Sequence, residues 1–175
     1  GAGGRSGASA LTLLSRAHVK LGDFAAAERN LRDAEGQLDQ RPDDAVRLQL
    51  DAALGELAME RLESARARAY FTKVVMAPPP AEETVLRSRA NRAFLDALDG
   101  RAAGSRQVLE ACVAAAHSMG HVALEAWSRV LLSRVHLLER KPAEAARVLA
   151  PLAGSSDALL GTELRAMTHF WRGEA

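Results

Sequence analysis

The stretch LTLLSRAHVKLGDFAAAERNLRDA, residues 11–34, decides the fold. Leu11, Leu14, His18 and Leu21 fall on one face at three- and four-residue spacing, the period of a helix and not of a strand. Gly22-Asp23 interrupts that stripe: glycine is the usual residue where a helix stops, and Asp23 can cap the next one. Phe24, Ala27, Leu31 and Ala34 then open a second stripe. Two short amphipathic helices joined by a tight turn make a hairpin, and neither can bury its stripe alone.

Working outward, the same hairpin returns three times. Leu54-Gly55, Ala58 and Leu62-Glu63 lead into Ala67, Phe71 and Val74; Ala93, Ala97 and Gly100 lead into Ser105, Leu109 and Cys112; Leu132, His136 and Arg140 lead into Ala145, Leu149 and Leu152. The turns fall at 22, 62, 100 and 140, spaced by 40, 38 and 40 residues. Five residues after each turn stands a small side chain, where two helices would cross closely: Ala27, Ala67, Ser105, Ala145. Four residues further stands a large one: Leu31, Phe71, Leu109, Leu149. A phase kept through four copies predicts a repeat architecture. Pro42-Asp43-Asp44, Pro78-Pro79-Pro80, Gly120 and Gly154-Ser155-Ser156-Asp157 punctuate the copies where the period demands a loop.

The expected helices are 6–21, 24–40, 43–61, 63–77, 81–98, 101–118, 121–139, 142–153 and 157–172. They group into hairpins at about 9–41, 42–79, 80–119 and 120–154, with a terminal helix at 156–172. Residues 1–8 read as a flexible lead and 9–175 as one repeat domain. The terminal helix carries Leu160, Leu164, Met167 and Trp171 on one stripe and ends in Gly173-Glu174-Ala175, which parallels Gly22-Asp23-Phe24. It reads either as a cap or as the first half of a fifth hairpin. In the second case self-association through that end is expected.

Composition agrees with an all-α chain. The 175 residues hold 36 alanines and 25 leucines but no isoleucine, which favours helix over sheet. Twenty-three basic and 22 acidic side chains are interspersed throughout, so no cationic arm invites nucleic acid. Cys112 has no partner cysteine, which points to a reducing, cytoplasmic setting and away from a disulfide scaffold. No apolar run suits a membrane span, and residues 1–10 lack the apolar core of a secretory signal. The chain opens without Met and reads as a segment of a longer polypeptide.

These features resemble the tetratricopeptide repeat family. The residues that carry the likeness are Leu14, Gly22-Asp23-Phe24, Ala27, Leu31 and Ala34, then Leu54-Gly55, Ala67, Phe71, Val74 and Pro79. The third copy departs at Arg92 and the fourth at Arg140-Lys141, which replaces the turn glycine. The repeat is longer than the family's roughly 34 residues. In this it is similar to the repeat domains of large bacterial regulators of the MalT/LuxR type, most of all at LLSRVHLLERKPAEAARVLAPL, residues 131–152. The resemblance implies a right-handed superhelix of about four hairpins, with the first helix of each pair lining a concave groove for a protein or peptide partner. Carried onto this sequence, the groove positions are Arg16, Lys20, Glu56, Glu60, Arg87, Asn91, Phe94, Trp127 and Arg134. Trp127 fits a core position equally well. The family's chaperone-tail clamp uses Lys and Asn where this chain has Arg16 and Glu56, so that ligand is not expected.

Chemistry of another kind finds little footing. His18, His136 and His169 share one repeat position, which marks packing. His117 and His121 are four apart, but Gly120 breaks their helix and no third ligand completes a zinc set. Cys112 falls on a buried stripe. Asp43-Asp44 and Glu82-Glu83 suit helix first turns. The basic set Arg61, Arg66, Arg68, Arg87, Arg89 and Arg92 is interleaved with glutamates and reads as solvated surface. There is no phosphate-binding glycine loop and no nucleophile elbow. The expectation is a non-catalytic interaction scaffold within a bacterial regulator, without cofactor or metal. The alternative is a sensor domain holding a small molecule or signalling peptide in the same groove.

Overall fold

The computed structural model describes residues 2–78 and 82–152, and side chains from residue 7 onward. The expected helix 157–172, and the self-association assigned to it, lie outside the described residues. Eight α-helices follow one another, with no strand among the described residues: α1 (Ala2–Lys20), α2 (Phe24–Gln40), α3 (Asp44–Glu60), α4 (Ser64–Met76), α5 (Glu82–Leu98), α6 (Ala102–Ser118), α7 (Val122–Leu138) and α8 (Pro142–Leu149). The protein is all-α. Among the described residues the expected boundaries are met within a few residues; α1 starts earlier than residue 6, and α8 tightens into a 3-10 turn over Ala150–Leu152.

Five helices, α1, α3, α5, α6 and α7, end alike because their turns use one hydrogen-bond scheme. Gly22, Leu62, Gly100, Gly120 and Arg140 all have left-handed backbone. At the first of these turns the Gly22 amide donates to the Val19 carbonyl and the Asp23 amide to the His18 carbonyl. The same two bonds recur as Leu62 to Met59 with Glu63 to Ala58, and as Gly100 to Ala97 with Arg101 to Asp96. They return as Gly120 to His117 with His121 to Ala116, and as Arg140 to Leu137 with Lys141 to His136. This paired closure satisfies carbonyls that a helix end leaves bare. Asp23 and Asp43 begin the next helices, accepting from the amides of Ala26 (2.9 Å) and Val46 (3.1 Å).

The chain divides into two compact units, Gly1–Ser88 and Arg89–Ala175. In the first, α1 packs on α2, α3 on α4, and α3 also on both helices of the first hairpin. Its core joins Ala27, Leu31, Ala34 and Leu38 of α2 to Val46, Leu50, Ala53 and Leu57 of α3. The ring of Phe71 lies against Gly55, where a side chain would leave it no room. In the second unit α7 packs on α6 and on α8. Leu109, Cys112, Ala116, Leu124, Leu131, Val135 and Leu149 are sealed from solvent there. The four small residues of the repeat phase are all buried, as a close crossing of helices requires.

Candidate binding surface on the first helices

Within the first unit, equivalent repeat positions meet each other. Arg16 and Glu56, each six residues before its turn, form an ion pair with Nε to Oε2 at 3.1 Å. Arg16 Nε and Nη2 are buried without an aligned hydrogen bond, so this is a Coulombic contact more than a directed bond. Thirteen residues before their turns, Ser9 Oγ donates to Gln49 Oε1 at 3.4 Å. Lys20 and Glu60 end α1 and α3 on the exposed side. Arg87 stays on its own helix, 3.8 Å from Glu83.

The second unit brings Asn91, Phe94, Trp127 and Arg134 together. Trp127 Nε1 donates to Asn91 Oδ1 at 2.9 Å, and the Arg134 guanidinium stands 4.2 Å above the Phe94 ring centroid. Such a cation–π contact contributes about 0.5–2 kcal/mol depending on desolvation. Asn91 is 1% exposed and Phe94 4%, so these two form a floor, while Trp127 and Arg134 are half-buried above it. A buried amide that accepts the indole N–H fixes the indole plane, because an unmet polar group there would be costly. Phe94 and Arg134 again hold equivalent positions, six before their turns.

Two residues of this surface escape a reading of the sequence by family positions. Leu98 and Leu138, 51% and 50% exposed, end α5 and α7 at the positions of Lys20 and Glu60. The repeat phase would have found them. At the positions named here the first-helix surface is therefore ionic in one unit and aromatic and aliphatic in the other, although α1 also exposes Leu13 and Leu14, the latter expected on the apolar stripe.

Other candidates resolve into structural tasks. His117 Nδ1 is 3.0 Å from Glu125 Oε2, while His121 caps α7 by accepting from the Leu124 amide at 3.3 Å. Among the described residues no group of three or more His, Cys, Asp or Glu side chains is placed to hold a metal ion. His18 lies 3.8 Å from Asp23 and His136 3.8 Å from Glu139, each beside a carboxylate of its own turn. Burial pushes the Cys112 thiol up to about 11, with Arg89 pulling the other way. Of the basic set, Arg61 pairs with Glu28 (3.0 Å) and Arg66 with Glu63 (3.1 Å), while Arg89 and Arg92 line a cleft beside Arg101, itself tied to Asp96. No described helix is long and apolar enough to cross a membrane.

No family model matches this chain, and neither a curated protein nor a solved structure does.

Proposed function

We propose that the chain is a non-catalytic, tetratricopeptide-like interaction module that holds a peptide or helical segment of a protein partner against its first helices, as part of a larger bacterial regulator. The supporting observation is the second unit's surface: Trp127 and Arg134 stand half-exposed over the buried Asn91 and Phe94, flanked by exposed Leu98 and Leu138. Preset aromatic and arginine side chains are the usual anchors of protein recognition, since little entropy is lost in ordering them. The burial of the Cys112 thiol and the capping role of His121 favour binding over catalysis. The buried single thiol also suits the cytoplasm.

The test begins with a peptide selected from a random library on the purified chain. Its affinity is then titrated against Trp127→Ala, Arg134→Glu and Leu138→Glu, with Gln107→Ala and Arg147→Ala on second helices as controls. Truncation of the indole should cost about 1–4 kcal/mol of binding. Arg134→Glu should chiefly slow association and alter its salt dependence. Binding that survives all three changes and is lost with the controls would reject this reading.

A further inference from the structure

Two positions recur in every hairpin. One lies six residues after the turn, on the second helix; the other is the residue just before the turn, at the end of the first helix. In the first unit these positions bring Glu28 of α2 to Arg61, which follows α3, with Oε2 and Nη2 3.0 Å apart. The same Nη2 lies 3.4 Å from the Phe24 carbonyl. In the second unit they bring Arg106 of α6 to Glu139, which follows α7. There Nη1 donates to Oε2 at 2.8 Å and to Oε1 at 3.0 Å. Each pair spans 33 residues. The joint is the same and its polarity is reversed: acid on the second helix in one unit, base in the other.

We propose that these reversed ion pairs are a stacking code that holds the second hairpin on the first and the fourth on the third. The apolar part of each joint cannot supply that choice. Small and aliphatic side chains kept in one phase give the two joints similar cores, and hydrophobic burial is non-directional, so selectivity falls to contacts such as Arg16–Glu56, Phe94–Arg134 and these ion pairs. The charges discriminate. A hairpin docked on the wrong neighbour would set Glu28 against Glu139, or Arg106 against Arg61, and like charges in contact disfavour a wrong partner. All four side chains are partly buried, so solvent screens them less than fully exposed ions. Lys141 Nζ, 3.0 Å from Glu139 Oε2, strengthens the second joint, as Arg32 and Arg66 more distantly do the first. Both carboxyls sit below the ordinary carboxylate range: Glu139 through Lys141 and then Arg106, Glu28 through Arg61.

The experiment uses the whole chain and two readouts, the thermal midpoint and the fraction of oligomer formed on refolding from denaturant at high concentration. Arg61→Glu and Glu139→Arg should each lower the midpoint. The swaps Glu28→Arg/Arg61→Glu and Arg106→Glu/Glu139→Arg should each recover most of it. Each swap also gives both joints one polarity, so each should raise the misassembled fraction several-fold over the parent. Reversing all four residues restores the distinction and should bring the fraction back down. Should a single reversal fail to fold, Glu28→Gln with Glu139→Gln removes both attraction and discrimination and should raise misassembly in the same way. Swapped chains that refold to the parent's oligomer fraction overturn the proposal, even where the midpoints show the pairs to be coupled. Single reversals silent in both readouts overturn it too.

Discussion

Leu62 and Arg140 hold the left-handed conformation that glycine holds at 22, 100 and 120, with φ of 62° and 59°. For a residue with a side chain that conformation costs roughly 1–2 kcal/mol, whereas glycine pays only about 0.5–1 kcal/mol in extra chain entropy. Leu62 is also 88% exposed, so removing it loses no packing. Leu62→Gly and Arg140→Gly should each stabilise the chain by up to about 1 kcal/mol in urea titration, and Gly22→Ala or Gly100→Ala should cost about as much. Gly55 obeys a different constraint: a β-carbon there would stand 2.6 Å from Phe71 Cε1 and 2.8 Å from Cδ1. Gly55→Ala should therefore lose roughly 1–3 kcal/mol despite alanine's better helix propensity, and Phe71→Leu in the same chain should make the two losses less than additive. Cys112 is fully buried and its thiol is raised to about 11, so iodoacetamide at pH 8 should label it at the rate of unfolding. Labelling at the rate of a free thiol would contradict that burial.

The elements show how far a single sequence can be read. Phase located the turn at Arg140-Lys141, where composition alone gives no glycine, and the backbone there is left-handed like the rest. Asp23 was legible as a cap because its side chain acts on an amide three residues away, and Asp43, expected in a first turn, caps in the same way. His121 was not, since histidine is rarely a cap and the neighbouring Gly120 made the pair with His117 look like an interrupted metal motif. Nor was the burial of Asn91 and Phe94. Periodicity names the face a residue occupies, but not whether the next hairpin's Trp127 and Arg134 will lie across it. Ion pairs are likewise visible only after the helices stack, and they predict how the fold responds to acid. Glu28 and Glu139 are lowered by their cationic partners, and Glu125 is lowered although burial works against Arg129 and His117. A depressed carboxyl makes the unfolded chain the better proton acceptor. Stability from these groups is thus present above their ordinary value of 4.5 and is lost as pH falls through their lower folded values. Urea midpoints should be flat from about pH 6 to pH 5 and decline below that, and Glu139→Gln should flatten the decline. A midpoint indifferent to acid would show the pairs to be energetically idle.

At the scale of the whole molecule, close-in-sequence pairing governs how the chain folds. Helix partners among the described residues within each unit are neighbours or next-neighbours in order, such as α1 with α2 and α3, or α7 with α6 and α8. Low separation along the chain permits fast searching, and helical proteins with local contacts fold in about microseconds to milliseconds. The main refolding phase in a stopped-flow experiment should be complete on that scale; a dominant phase of seconds would mean that distant contacts, not the hairpins, limit folding. The indole of Trp127, tied to Asn91 inside the second unit, has a consequence of another kind. Both tryptophans of the sequence, Trp127 and Trp171, fall within Arg89–Ala175, and its single tyrosine, Tyr70, falls within Gly1–Ser88. Light absorbed at the red edge is taken up by indole and not by phenol, so the emission it excites comes from positions 127 and 171 alone and reports on that stretch of the sequence with no dye attached and no residue changed.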